Sequence, residues 1–162
     1  MLRIWDETRA WSLRDFEVIY EWLGTHFDHV FYESEVDEAG KTLVVREEQK
    51  GTFQRSDGAI GIDLNAENLG FFLLLKSDGN TLYSTKDLAL AQRKFEDFGI
   101  ERSIYVVGAE QTLHFQQVFA TLRHMGYEQA SNCFHLPYAL VVLPDGKMSS
   151  RAGNVILFSQ LQ

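Results

Sequence analysis

The sequence predicts an α/β fold with a largely parallel sheet, interrupted near its middle by a β-rich region. Three observations carry this. Apolar residues recur at helical spacing in separate runs closed by Gly24, Gly99 and Gly126. Ile104 to Val107 forms a short apolar burst of the kind expected of a parallel strand covered on both faces. Residues 51–83 break into apolar bursts separated by turn formers.

In chain order, Ser12 and Asp15 read as a capping pair for a first helix whose stripe is Phe16, Ile19, Tyr20 and Leu23, with Gly24 as its stop. His29 to Tyr32 is a short extended run. The Gly40-to-Gly51 segment, with Leu43, Val44 and Val45 among charges, reads as helical. Ser56-Asp57-Gly58, Asn65 to Gly70 and Ser77-Asp78-Gly79-Asn80 then punctuate a hairpin region. Leu88, Ala91, Phe95 and Phe98 place a helix over 85–98. After the Ile104 strand, Phe115, Val118, Phe119, Leu122 and Met125 mark another helix. A strand near Asn132 to His135, a hairpin from Tyr138 to Leu143 and a Pro144-Asp145-Gly146 turn lead into the last loop.

At 162 residues and 45% apolar content, the chain can bury one sizeable core, and its length suggests a single domain. No apolar run is long enough for a membrane span and no basic-then-apolar leader is present, so a cytoplasmic location is expected. A net charge of −8 argues against a surface that wraps nucleic acid. Cys133 is the sole cysteine, which excludes an internal disulfide; its neighbour Phe134 favours a buried structural thiol. The histidines and Cys133 lack paired metal-ligand spacing, so no protein-bound metal is expected.

In open α/β sheets, ligands bind where strands end and helices begin. That rule selects three clusters. Gln111 and His114 share one side of a first helical turn after the Ile104 strand; they either face a ligand or cap the helix. Tyr83 and Asp87 stand together at the entrance of the 85–98 helix, where a carboxylate is also a common dipole partner. The third cluster, Pro144-Asp145-Gly146-Lys147-Met148-Ser149-Ser150-Arg151-Ala152-Gly153-Asn154, offers cations and hydroxyls suited to a polyphosphate, or forms an ordinary solvated turn.

Lys147-Met148-Ser149-Ser150 after a Pro-Asp-Gly turn resembles the second signature of class I aminoacyl-tRNA synthetases. Its company makes the match specific: Tyr83-Ser-Thr-Lys-Asp87-Leu-Ala, Tyr105-Val-Val-Gly-Ala-Glu-Gln111-Thr-Leu-His114-Phe and His135-Leu-Pro-Tyr138 follow in the order and spacing of the arginyl branch. Trp11-Ser-Leu, Phe27-Asp28 and Tyr32-Glu33-Ser34 extend the similarity nearly to the start. The resemblance implies the C-terminal half of a catalytic domain. In fold terms this is the second half of a Rossmann-like nucleotide-binding fold with a β-hairpin-rich insertion and an incomplete sheet. Residues 1–50 would connect, 51–83 would be the insertion, and 84–162 would be the nucleotide-binding half.

The resemblance also assigns roles. Glu33, Tyr83 and Asp87 would surround a substrate guanidinium, with Gln111 contacting arginine as well. A planar fork of N–H donors wants carboxylates and a phenol oxygen, so the assignment makes physical sense. His114 would lie beside the amino-acid or nucleotide pocket. Backbone groups from Ala139 through Val141 and Val142 would meet adenine, and Lys147, Met148, Ser149 and Ser150 would hold ATP. The arginine carboxylate would attack the α-phosphorus and pyrophosphate would leave, with Lys147 meeting the developing charge. Mg²⁺ would accompany ATP, held mainly by phosphates and water. The implied partners are L-arginine, ATP and tRNA, the last mainly through other domains.

Three features depart from the family pattern. No His-Ile-Gly-His motif occurs; His26-Phe-Asp-His29 has its histidine spacing but no glycine, and reads as structural. Lys86 stands where the family often has Arg, and Ala139 where it often has Gly. The 162 residues alone are therefore expected to be inactive. Self-association is expected through the orphan surface where the missing half would sit, with some of Trp5, Trp11 and Trp22 exposed there. The 147–151 loop is expected to be mobile without ATP. A free-standing module that binds a nucleotide or protein without catalysis is the alternative. A cysteinyl-type enzyme is a weaker one, opposed by Tyr83, Asp87 and Gln111.

Overall fold

The first helix, α1, runs over Leu2–Leu23 and so begins a full ten residues before the Ser12 cap that the sequence suggests. Ser12 does not cap: its hydroxyl donates to the Thr8 carbonyl one turn earlier (3.2 Å), which lets a serine sit inside a helix. Gly24 ends the helix as expected, with φ +65° and its N–H bonded to Glu21 O. The computed structural model describes residues 2–140, 142–143, 146–147 and 156–160, in two compact units, Met1–Tyr32 and Glu33–Gln162. In the first unit, the Arg9 guanidinium lies 4.3 Å above the Tyr32 ring and Tyr20 meets Phe27 edge-on at 4.9 Å. Trp5, Trp11 and Trp22 are all exposed. The run His29 to Tyr32 is not a strand, because no described strand pairs with it.

The second unit opens with α2, Glu33–Gln49. The sequence places only its second half in a helix, treating Gly40 as a boundary. In fact Gly40 is buried mid-helix, where a Cβ would stand 2.7 Å from the Thr85 carbonyl oxygen. The glycine is there for close approach between two helices. Near the end of α2, Glu47 is sealed from solvent, yet it accepts hydrogen bonds from Lys50 Nζ (2.8 Å), Thr52 Oγ1 (3.1 Å) and Arg46 Nε (3.3 Å). Burial pushes its carboxyl upward, but the bonds from Lys50 and Thr52, with the charges of Lys50 and Arg46, leave it net below the ordinary value.

The sign follows from that direction. A depressed folded value stabilises at pH above the unfolded carboxyl value, and this contribution is lost as pH falls through the folded value. Glu47→Gln should therefore cost on the order of 1–3 kcal/mol at neutral pH. In urea titrations its deficit against the parent protein should shrink below about pH 4, the ordinary carboxylate range. An equal deficit at pH 7 and pH 3 would sink this account.

The β-rich region is as the sequence predicts. Strands β1 (Gln54–Ser56), β2 (Ala59–Asp63) and β3 (Phe71–Leu75) form an antiparallel sheet in the order β1-β2-β3. Ser56 pairs with Ala59 across Asp57 (φ 49°) and Gly58 (φ 82°), two left-handed residues in a tight two-residue hairpin. Ile60, Ile62, Phe72 and Leu74 from this sheet enter the core with Leu43 and Val44 of α2. Helix α3 (Tyr83–Phe98) adds Leu88, Ala91 and Phe95 to that core and stops at Gly99, φ +56°.

Strand β4 (Ser103–Gly108), helix α4 (Thr112–His124) and strand β5 (Cys133–Tyr138) follow. β4 and β5 pair in parallel from Ser103↔Cys133 to Gly108↔Tyr138. Two expectations need correction here. The sequence places both faces of the Ile104 strand under cover, but Ile104 and Val106 are 57% and 62% exposed, with Phe134 and Leu136 exposed beside them. The single crossover helix covers one face, that of Tyr105 and His135; on the other the Arg102 guanidinium lies 5.1 Å from the Phe134 ring centroid, and Ile104, Val106 and Leu136 stay exposed among the described residues. Tyr138, placed in a hairpin by its sequence, instead ends β5; the hairpin is β6 (Val142–Leu143) against β7 (Gly146–Lys147). Val141, Met148, Ser149, Ser150 and Arg151, and with them the expectation of a mobile loop, lie outside the described residues.

Under the covered face, Cys133 is buried and its Sγ lies 3.7 Å from the Gln129 carbonyl; burial pushes its thiol upward, as suits a structural cysteine. Lys94 of α3 lays its ammonium 3.6 Å from the Tyr105 ring centroid and donates to Ser103 Oγ at 3.0 Å. Burial lowers that lysine and raises the Tyr105 phenol.

Candidate functional site

A cavity of 280 Å³ opens between the start of α3, the end of β4 and the first turn of α4, lined by Tyr83, Asp87, Val107, Gln111, His114 and Phe115. It sits at the carboxyl end of a parallel strand, where α/β sheets place ligands. Each wall has a local cause. Tyr83 and Asp87 lie one helical turn apart at the entrance of α3. Gln111 closes a 3-10 turn, Ala109–Gln111, that bridges β4 and α4; Thr112 steadies it by donating to Ala109 O at 2.6 Å. His114 and Phe115 follow in the first turn of α4.

Two sequence clusters that lie 27 residues apart meet here through His114 Nε2 and Asp87 Oδ2, at 2.6 Å. The pair is partly sheltered, with 22% and 29% of the two side chains exposed. The rings of Phe72 and Phe115 meet the imidazole edge-on, at 5.6 and 5.4 Å, and fix its plane. Tyr83 is 71% exposed and stands at the mouth.

Of the residues singled out in the sequence, Tyr83, Asp87, Gln111 and His114 are thus brought together. Glu33 is not among the lining residues. It lies in the first turn of α2, its side chain 60% exposed, and takes a hydrogen bond from Lys86 Nζ at 2.7 Å. Lys86 also lies 3.7 Å from Asp37 and 5.8 Å from the Tyr83 ring centroid, and the Glu33 bond holds its ammonium above the ordinary value. Val142 and Lys147 pair with each other across the β6–β7 hairpin. The sequence places two cavity residues, Val107 and Phe115, in the core alone; their positions at a strand end and in a helix first turn are the available signal. His135 bonds the Val107 carbonyl at 2.9 Å and so ties β5 to the cavity floor.

The arrangement offers a carboxylate, a phenol, an amide and an imidazole around a small space, a set suited to a cationic, multiply donating group. The model of the class I tRNA synthetase (R) catalytic domain matches residues 3–162. The chain belongs to this family, the arginyl branch of the class I synthetases. The resemblance carried by the Lys-Met-Ser-Ser segment and its companions is thereby borne out.

Among curated relatives of this synthetase segment, an arginine–tRNA ligase of Bdellovibrio bacteriovorus is 51% identical over 158 residues, covering 98% of this chain and 27% of the relative. One of Porphyromonas gingivalis is 40% identical over 154 residues, covering 94% and 26%. The chain thus spans about a quarter of the relatives it matches. The crystal structure of arginyl-tRNA synthetase from Plasmodium falciparum superposes with a TM-score of 0.75 at 20% identity, over 86% of this chain and 25% of that one. That from Thermus thermophilus gives 0.56 at 24% identity, over 71% and 26%. At those identities the structures support the α/β fold alone.

Proposed function

We propose that this chain is the part of an arginine–tRNA ligase that holds the arginine side chain and contributes one side of the ATP site. The carrying observation is the Asp87–His114 pair on the wall of a cavity shared with Tyr83 and Gln111. A guanidinium brings a fixed fork of N–H donors and a permanent charge, and an anion presented on a sheltered wall is its natural complement. The cavity lies just under the roughly 300–1,000 Å³ of sites for drug-sized ligands, which suits one amino-acid side chain better than a nucleotide.

In this reading Asp87 pairs with the guanidinium, Tyr83 presents its phenol at the mouth, and Gln111 orients the amino acid. His114 holds Asp87 in register. Glu33 joins by exchanging its bond with Lys86 for one with the substrate. The β4-α4-β5 unit is half of a Rossmann-like nucleotide-binding fold, and the β1–β3 sheet is an insertion on it. Adenine lies along the backbone near Val141 and Val142. Lys147, Met148, Ser149 and Ser150 hold the triphosphate, so that the Lys147 ammonium meets the charge arriving on pyrophosphate. ATP brings Mg²⁺ with it, and transfer to tRNA follows in the cytoplasm.

The test is amino-acid-dependent exchange of pyrophosphate into ATP by the protein as encoded, with tRNA present, assayed with arginine, lysine and cysteine. Exchange is expected with arginine alone, in a reaction that requires Lys147. Exchange driven by cysteine, or none with arginine, would overturn the assignment. The 162 residues by themselves are expected to form no arginyl-adenylate, since they hold no His-x-Gly-His segment for the same triphosphate; detectable adenylate from them would contradict that part.

A further inference from the structure

Ser84 and Thr85 sit between the two cavity residues of α3, yet both are buried, and Thr85 completely so. Helix α3 has Leu82 at its N-cap, a residue with no side-chain group to offer the exposed N–H donors of the first turn. Thr85 takes over. Its hydroxyl accepts from the Leu82 N–H at 3.0 Å and donates to the Leu74 carbonyl of β3. Ser84 donates to the neighbouring Leu73 carbonyl at 2.6 Å. Two successive hydroxyls of the helix are thus fastened to two successive carbonyls of one strand, and Gly40 of α2 closes on the outside of Thr85.

The same strand holds the other half of the Asp87–His114 pair. Phe72, beside Leu73, sets its ring edge-on to His114. Gln117, one turn further along α4, donates to the Leu69 carbonyl at 2.7 Å, just before β3 begins. Asp87 and His114 therefore come from different helices, and each is referenced to β3 by side chains one turn or less away. For a contact of 2.6 Å, displacements of under an ångström decide whether it forms.

We infer that Thr85, assisted by Ser84, is a positioning residue of the arginine site: its hydroxyl locks the first turn of α3 to β3 and so sets where Asp87 stands against His114. This rests on the function proposed above. Thr85 touches no cavity surface and takes no part in the chemistry. It acts on substrate through Asp87.

The experiment compares Thr85→Val, which keeps the shape and deletes the hydroxyl, with Thr85→Ser, which keeps the hydroxyl, in the protein as encoded. Thr85→Val removes both bonds of the hydroxyl, to the Leu74 carbonyl and from the Leu82 N–H, and should raise KM for arginine about tenfold. KM for ATP should stay within about twofold, and Thr85→Ser should restore most of the arginine KM. In an Asp87→Asn background the effect of Thr85→Val on arginine KM should vanish, because residues acting through one another are not additive.

Equal defects from Val and Ser, parallel rises in both KM values, or full additivity with Asp87→Asn would each overturn the inference. So would an unchanged arginine KM. If Thr85→Val does not fold, Ser84→Ala carries the same comparison, with a smaller expected rise of about threefold for the same selective pattern. Asp87→Asn alone separates the two levels: if it leaves arginine KM unchanged, the arginine site itself is misplaced. If it raises arginine KM and Thr85→Val does not, only the positioning role fails.

Discussion

Asp87→Asn is expected to reduce kcat/KM for arginine on the order of a hundredfold while leaving KM for ATP nearly unchanged. The substitution keeps the size of the side chain and an oxygen that can still meet His114 Nε2, so it isolates the charge. Breaking a fully buried charge pair costs about 3–5 kcal/mol, whereas an exposed pair is worth about 1 kcal/mol or less. With 29% of its side chain exposed, Asp87 falls between these limits. About 3 kcal/mol corresponds to roughly two powers of ten. A loss of less than threefold, measured by arginine-dependent pyrophosphate exchange in the presence of tRNA, would remove Asp87 from the site.

Gly40→Ala is expected to destabilise the second unit and to raise KM for arginine together. Two effects of opposite sign compete. Alanine improves helix propensity by up to about 1 kcal/mol over glycine. Against this, the new Cβ would sit 2.7 Å from the Thr85 carbonyl oxygen, 3.1 Å from its Cγ2 and 3.2 Å from its carbonyl carbon. Two of those three atoms are backbone, so relief requires moving the first turn of α3. Overpacking of this kind costs about 1–3 kcal/mol, which outweighs the propensity gain. The shift also carries Tyr83 and Asp87 with it, so several-fold weaker arginine binding should accompany the lower unfolding midpoint. Gly40→Val, with more bulk and a smaller propensity gain, should be worse on both counts. A stabilised Gly40→Ala protein would show that α2 and α3 approach less closely than the structure has them.

Lys86 tests the reading of Glu33 differently. Its ammonium is the described partner of that carboxylate, so Lys86→Met leaves Glu33 without it. Because Glu33 is mostly exposed, the change in stability should be small, under about 1 kcal/mol. An effect on arginine KM shared by Lys86→Met and Glu33→Gln therefore reports on Glu33 as a substrate group, whereas one confined to Lys86→Met reports on the Tyr83 ring beside the ammonium. If Glu33 takes no part, Glu33→Gln should leave arginine KM unaltered.

Local pattern carried much of this molecule. The stops at Gly24, Gly99 and Gly126 were readable because a left-handed residue at a helix end is a requirement of one residue's own backbone. The Asp57-Gly58 hairpin was readable for the same reason. The family was legible because the identities and spacing of Tyr83, Asp87, Gln111, His114 and the Lys147 segment are read along the chain without reference to any tertiary neighbour.

What the sequence left undecided depended on neighbours distant along the chain. Gly40 looked like a helix boundary and is instead a close contact with Thr85, 45 residues away, since a glycine chosen for absent volume and one chosen for backbone freedom are the same letter. Ser12 looked like a cap because nothing local shows that a hydroxyl will turn back to the carbonyl four residues before it. Ile104 and Val106 looked doubly buried, but an apolar strand records that it needs cover, not whether the described elements supply it. The pairing of Asp87 with His114 was the tertiary structure's decision as well. Each helix specifies its own first turn, and only the anchoring of both to β3 brings an oxygen and a nitrogen to 2.6 Å across a 280 Å³ cavity.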